Sequence, residues 1–170
     1  RTGEYYCWPS ASTNSNAALS ANTLYAIPFL VARTSTWDRI AIDITTGAAS
    51  GNVRLGIYND GTNLYPGTLV LDAGTVDATV AAIATITISQ QLNKGIYWLA
   101  MVSNNTPTLK TLYLVGTPLG KRSSNTTMHS NIVGWSKAFT YAALPDPFTA
   151  AGNQDFDNTP ATFLLLLSLD

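Results

Sequence analysis

In Trp37–Ile44 the residues Ile40, Ile42 and Ile44 fall on one parity while Arg39, Ala41 and Asp43 fall on the other. This is the period of two that sends alternate side chains to core and solvent, so the segment predicts a half-buried strand. Asn52–Asn59 repeats the pattern, with Val53, Leu55 and Ile57 inward and Arg54 and Tyr58 outward, and Gly56 permits a close neighbour. Asn59-Asp60-Gly61 and then Pro66-Gly67 read as the turn that follows. A strand over Leu69–Ala73 runs into Gly74, and in the next one Ile86 and Ile88 alternate with Thr85, Thr87 and Ser89 before Asn93-Lys94-Gly95 turns the chain.

Gly95–Ser103 differs in kind. Ile96, Trp98, Ala100 and Val102 on one parity and Tyr97, Leu99 and Met101 on the other are nearly all apolar, so both faces must be covered. Such a strand sits centrally in a sandwich or has its second face on a partner subunit, and Phe163–Leu169 reads the same way. Leu109–Val115 is again strand-like, and residues 116–160 are rich in Gly, Ser, Asn, Thr and Pro with one strand-like portion around Ile132–Trp135. A loop region of that length is a place for a binding surface. Asn16–Leu24 and Ala78–Ala84 carry no apolar stripe of helical period and are expected to be loop or a single turn. Short strands punctuated by Gly, Pro, Asn and Asp predict an all-β fold, an antiparallel β-sandwich of jelly-roll type. The expected organisation is an N-terminal surface or linking segment over residues 1–24 and a single sandwich domain over residues 25–170.

Composition narrows the function classes. The 170 residues are 46% hydrophobic and 11% charged, against roughly 25% charged in an average domain, which excludes disorder. A net charge of −1 offers no electrostatic footprint for nucleic acid or an anionic membrane. The longest apolar run, Phe163–Leu167, is far too short to cross a bilayer as a helix, and from Arg1 on no basic segment followed by an apolar one reads as a signal peptide. Cys7 and His129 are the single cysteine and histidine, which removes intrachain disulfides and multi-histidine metal sites.

No hydrolase elbow, zinc-protease helix, P-loop or dinucleotide turn occurs, so the expectation is a protein that is not an enzyme and takes no cofactor. His129 lies among Thr126, Thr127, Ser130 and Asn131 and reads as an exposed loop residue. Asp155 and Asp157 could serve as cation ligands or as a glycosidase pair, with turn stabilisation the commoner use of such residues. Sugar recognition needs flat aromatic faces beside amides and carboxylates in a concave site, and Trp135, Tyr141, Asn153, Gln154 and Asp155 supply them within the loop-rich region. Tyr58, Asp60 and Tyr65 form a second, smaller candidate at a turn, whereas Trp37 and Trp98 lie on strands and read as core or interface.

Trp37-Asp38-Arg39-Ile40, Val53-Arg54-Leu55-Gly56-Ile57-Tyr58-Asn59-Asp60-Gly61, Tyr65-Pro66-Gly67, Leu71-Asp72-Ala73-Gly74-Thr75-Val76 and Leu92-Asn93-Lys94-Gly95-Ile96-Tyr97-Trp98-Leu99-Ala100 follow one another in this order. With Leu24-Tyr25-Ala26-Ile27-Pro28-Phe29 upstream, the series resembles a module of bacteriophage virion proteins such as tail fibres, tailspikes and head fibres. The likeness spans residues 5–103 and fades beyond Ser103. It implies a β-sandwich at the virion surface, often homotrimeric, that contacts other virion proteins and a host-surface glycan, and it brings no catalytic residues. The expected function is therefore host attachment through carbohydrate binding by the loop residues named above. The alternative is a capsid decoration or head-fibre domain that binds no glycan, with Tyr97, Leu99 and Met101 or Leu164 and Leu166 buried between subunits.

Overall fold

Ile40, Ile42 and Ile44 all point into the interior and are buried, so the parity read from the sequence is the one the protein uses. The structure is a computed structural model, and it describes residues 1–6, 12–113, 119, 132–149, 154–157, 162–163 and 165–169. The fold is all-β, with antiparallel sheets packed face to face. One sheet has seven strands: β1 (Tyr5–Tyr6), β2 (Ser12–Ala18), β4 (Ser35–Thr46), β7 (Ala82–Leu92), β9 (Thr108–Tyr113), β12 (Thr162–Phe163) and β13 (Leu165–Leu169). The other has six, in the order β11 (Gln154–Asp157), β10 (Ile132–Ala138), β3 (Thr23–Val31), β8 (Gly95–Ser103), β5 (Asn52–Asp60) and β6 (Pro66–Asp77). Among the described strands only β5 with β6 and β10 with β11 pair as sequence neighbours, so the chain crosses between the sheets at most of its other turns.

The space between the sheets is filled by Ile27, Phe29 and Val31 of β3, Ile40, Ile42 and Ile44 of β4, Val53, Leu55 and Ile57 of β5, and Leu99 and Met101 of β8. Pro28 sits inside β3 without cost. Pairing with β10 ends at Ala26, and the missing N–H is tolerated beyond that point while β8 still pairs through Pro28 on the other side.

Several elements depart from expectation. Residues 1–24 are more than a link, since β1 pairs with β13 and β2 pairs with β9 within the seven-stranded sheet. The stretches expected to be loop give up Asn16–Ala18 to β2 and Ala82–Ala84 to β7. Gly74 does not end its strand. It adopts φ +101° at a register shift where Leu55 pairs with Gly74 and Gly56 with Asp72, a bulge that carries β6 on to Asp77.

The largest difference concerns the outer face of the six-stranded sheet. Tyr58 points outward as its parity requires, yet it is 0% exposed. Across β3, β8, β5 and β6 the register aligns Pro28, Trp98, Tyr58 and Leu69 in one row, and Ala26, Ala100, Gly56 and Asp72 in the next. The second row is a trough of small side chains. Residues 139–149 lie on this face as a strap, with Leu144 over Gly56, where a Cβ would overlap Leu144 and stand 2.6 Å from the Leu71 carbonyl oxygen. Phe148 meets Tyr58 edge-on at 5.4 Å between ring centres. Leu24, Ala26, Tyr58, Trp98, Ala100, Val102, Leu144 and Phe148 thus form a second buried cluster outside the inter-sheet core. Burial of Leu144 and Phe148 contributes about 1.5–3 kcal/mol each.

The strap is tied at both sides of the sheet. Asn22, in the turn before β3, accepts from the Phe139 N–H through its carbonyl (2.9 Å) and from the Tyr141 N–H through its side chain (2.9 Å). On the far side the Leu144 N–H donates to Asp72 Oδ2 (3.0 Å), the Leu69 N–H donates to Asp146 Oδ1 (2.9 Å) and the Phe148 N–H donates to the Gly67 carbonyl (2.9 Å). The Tyr58 hydroxyl donates to the Pro145 carbonyl at 2.8 Å.

Burial, reinforced by the charges of Asp72 and Asp146, pushes the Tyr58 phenol well above its ordinary pKa of 10.0. The folded state therefore holds this proton where the unfolded chain has lost it. The contribution of the phenol to stability is complete below about pH 10 and falls as pH climbs beyond that value. Tyr58→Phe is expected to be about 1 kcal/mol less stable near neutral pH through the lost hydrogen bond. That gap should narrow at about pH 11, because the wild type alone then pays to keep a phenol protonated. Urea midpoints of both proteins at the two pH values measure it, and a gap of constant size would contradict the assignment.

Candidate ligand-binding site

The residues singled out for sugar recognition fall at and beside β10. Trp135 pairs with Ala26 of β3 on one side and with Asp155 of β11 on the other, while Ser136 lies opposite Gln154. The backbone register therefore sets Asp155 opposite Trp135, with Gln154 one position further along, opposite Ser136 and on the alternate parity of the strand. Asp157 lies opposite Ile132 across a register shift. Asn153 and His129 lie outside the described residues, as does Cys7.

The indole of Trp135 is half-buried and held in place. Its Nε1–H donates to the Leu64 carbonyl at 2.8 Å, and its ring stacks on Tyr65 with centres 4.1 Å apart and planes 19° from parallel. Tyr65 arrives from the turn after β5, which contains the short 3-10 segment Thr62–Leu64 with Asn63 at φ 56°. Gly61 donates its N–H to the Tyr65 carbonyl at 2.7 Å and closes that turn. Two aromatic residues placed in separate candidates by the sequence are thus one stacked pair. Aromatic pairing of this kind is worth about 0.5–1.5 kcal/mol beyond burial, so the pair presents a preformed platform rather than two free rotors.

The other members of the turn candidate serve the fold. Asp60 accepts the Trp98 Nε1–H through Oδ1 at 2.9 Å, and Tyr58 lies under the strap. Tyr141 belongs to the strap itself, where its hydroxyl shares a 2.8 Å hydrogen bond with Thr75 Oγ1. It is half-buried and committed to the far edge of the sheet, so the structure does not join it to the Trp135–Tyr65 pair.

Lys137 follows Trp135 by two positions on β10. Its Nζ donates to the Thr149 hydroxyl (2.6 Å) and carbonyl (3.3 Å) and stands 5.1 Å from the centre of the Phe148 ring. Burial lowers its pKa, and its hydrogen bonds fasten the end of the strap instead of facing a ligand. Arg54 is likewise engaged: Nε lies 2.8 and 2.9 Å from the Asp72 carboxylate oxygens, and Asp72 also accepts from Gly74 N–H at 3.2 Å. Lys137 and the Arg54–Asp72 pair thus serve to hold the strap.

A separate concavity lies between β1, the end of β3 and the start of β4, lined by Tyr6, Phe29, Arg33, Ser35 and Trp37. Sequence reasoning passed over it. Its one local signal is a cation, Arg33, set in a turn between apolar strands. Among the described residues no group of acidic, histidine or cysteine side chains is arranged to hold a metal ion. No family model matches the chain and no curated protein matches it.

Proposed function

We propose that this protein is a non-catalytic virion-surface domain that attaches to host carbohydrate, as the receptor-binding part of a fibre or spike assembled as a homotrimer with other virion proteins. The observation that carries this reading is the Trp135–Tyr65 pair. It is a rigid aromatic platform at the β10 side of the six-stranded sheet, with the Gln154–Asp155 backbone alongside. Pyranose rings stack their C–H faces on such surfaces, and a platform that is already ordered loses little conformational entropy on binding. The resemblance of this motif order to phage virion modules is what suggests the virion context.

Trp135→Ala is expected to lower binding to intact host cells and to their purified surface polysaccharide at least tenfold while the assembly stays intact by light scattering. Unchanged binding by this variant, or no binding by the parent to cells or glycan, would overturn the reading.

The second reading, a decoration domain that binds no glycan, draws on Val80 and Ile83, which are 63% and 60% exposed next to and within the edge strand β7. It no longer draws on β8. Leu99 and Met101 lie in the inter-sheet core, and the opposite face of that strand is covered by the chain's own strap, so neither residue is left for a subunit interface.

A further inference from the structure

We propose that β7 pairs with β7 of a second copy of this chain, antiparallel about a twofold axis at Thr85, so that two seven-stranded sheets join into one. β7 is hydrogen-bonded to β4 along one side, and no described strand pairs with its other side. Alternate N–H and C=O groups of an edge strand point away from its sheet. This side of β7 is therefore a row of backbone donors and acceptors that fits a further strand. The proposal stands whichever reading of the Trp135–Tyr65 platform holds.

Natural sheets guard their edges with proline, charge and bulges, because an unguarded edge recruits another strand. β6, the edge strand of the other sheet that packs beside β7, carries all three guards: it starts at Pro66, is bulged at Gly74 and bears Asp72 and Asp77. β7 is built the opposite way. Its sequence, Ala-Ile-Ala-Thr-Ile-Thr-Ile-Ser-Gln-Gln-Leu, has no charge and no proline, and at 11 residues it is long, against about five or six in a typical strand. Its one irregularity lies between the Trp37–Gln90 and Arg39–Thr87 pairs, and it leaves Ala82–Thr87 in unbroken register with β4.

The occupant is a second copy because this edge is complementary to itself. Ala84, Ile86 and Ile88 pack against the inter-sheet core, while Ile83, Thr85, Thr87 and Ser89 are exposed on the outer face. A twofold axis normal to the sheet keeps outer residues opposite outer residues. Centred on Thr85, it sets Thr85 against its own counterpart, Ile83 against Thr87 and, on the inner face, Ala84 against Ile86. Threonine and β-branched pairs of this kind favour antiparallel pairing, and no like charges meet. Ile83, 60% exposed in the single chain, gains an apolar neighbour in the Thr87 methyl. A net charge of −1 per chain adds little repulsion between copies. The platform strand β10 lies at the far end of the other sheet from β6, so the pairing leaves the platform open.

The test is the mass of the full chain by light scattering over a dilution series, beside Thr85→Lys and Thr85→Asp, both exposed-site variants whose fold circular dichroism verifies. The parent is expected to hold an even number of chains: two, or six where the homotrimer forms as well. Each variant should halve that mass, because like charges then meet at the axis. Mixing equal amounts of the two variants should restore it, since lysine then faces aspartate across the same axis. A parent of one or three chains, open-ended growth in place of a closed assembly, an unchanged mass in Thr85→Lys, or no recovery on mixing would each overturn the proposal. A mass of three chains would do so while leaving the homotrimer standing, and a mass of two would do the reverse.

Discussion

Trp98→Ala is expected to destabilise the protein by about 3–5 kcal/mol, a large fraction of the roughly 5–15 kcal/mol that holds a typical domain folded. Trp98 is 0% exposed, although it lies on the outer face of its sheet. It stands between Pro28 and Tyr58 in the β3–β8–β5 ladder and is a member of the cluster beneath the strap. Truncation leaves a cavity that β-sheet backbone cannot collapse to fill, and it strands Asp60, whose carboxylate accepts the indole N–H at 2.9 Å. Trp98→Phe keeps one six-membered ring at the site while it removes the donor and the fused five-membered ring, so a smaller loss than in the alanine variant is expected. Urea unfolding followed by circular dichroism measures both. A loss below about 1 kcal/mol in the alanine variant would mean that the outer cluster is no true core.

The second large effect is expected at Asp72, where one carboxylate holds three parts of the fold together. It takes the Arg54 Nε–H, caps the Gly74 bulge and receives the Leu144 N–H of the strap. Removing one member of a buried ion pair costs about 3–5 kcal/mol. Here the side chains of Arg54 and Asp72 remain 27% and 19% exposed, so water replaces part of the loss and about 2–3 kcal/mol is expected for Asp72→Ala. The effect should be uneven in space. Hydrogen exchange at the Leu144 amide should quicken by more than the global loss of stability explains, while amides of β4 and β5 follow the global loss. If Leu144 exchanges no faster than the core strands predict, the strap is held by its apolar contacts alone. The double variant Asp72→Leu, Arg54→Met should recover part of the lost stability, since no unpaired charge is left beneath the strap.

Much of the scaffold was legible because strand parity is a local property. Ile40, Ile42 and Ile44 inward, Val53, Leu55 and Ile57 inward, and the demand that β8 be covered on both faces all follow from the two-residue repeat alone. The value of Gly56 as a place for a close neighbour was legible too, although not that the neighbour would be Leu144. The candidate site was legible only in its ingredients. Trp135 and Tyr65 were each visible as aromatic residues near turns, but 70 residues separate them, and no local signal says that one ring will stack on the other. Tyr141 carried the same signal as Trp135 and proved to be part of the cover.

The sequence by itself determined the fold class, the side each strand residue faces and the exclusion of long amphipathic helices, because these depend on the spacing of side chains along a few residues of backbone. The tertiary structure alone decided what lies against each face. The strap over Tyr58 and Trp98, the joining of residues 5–6 and 12–18 to the seven-stranded sheet, and the concavity beside Arg33 all depend on which distant segments meet. In a sandwich whose chain crosses between sheets at most turns, nearly every such meeting closes a long loop. A local pattern can require that an apolar face be covered, but only the balance of closure entropy, hydrogen bonds and packing across the whole chain selects the segment that covers it.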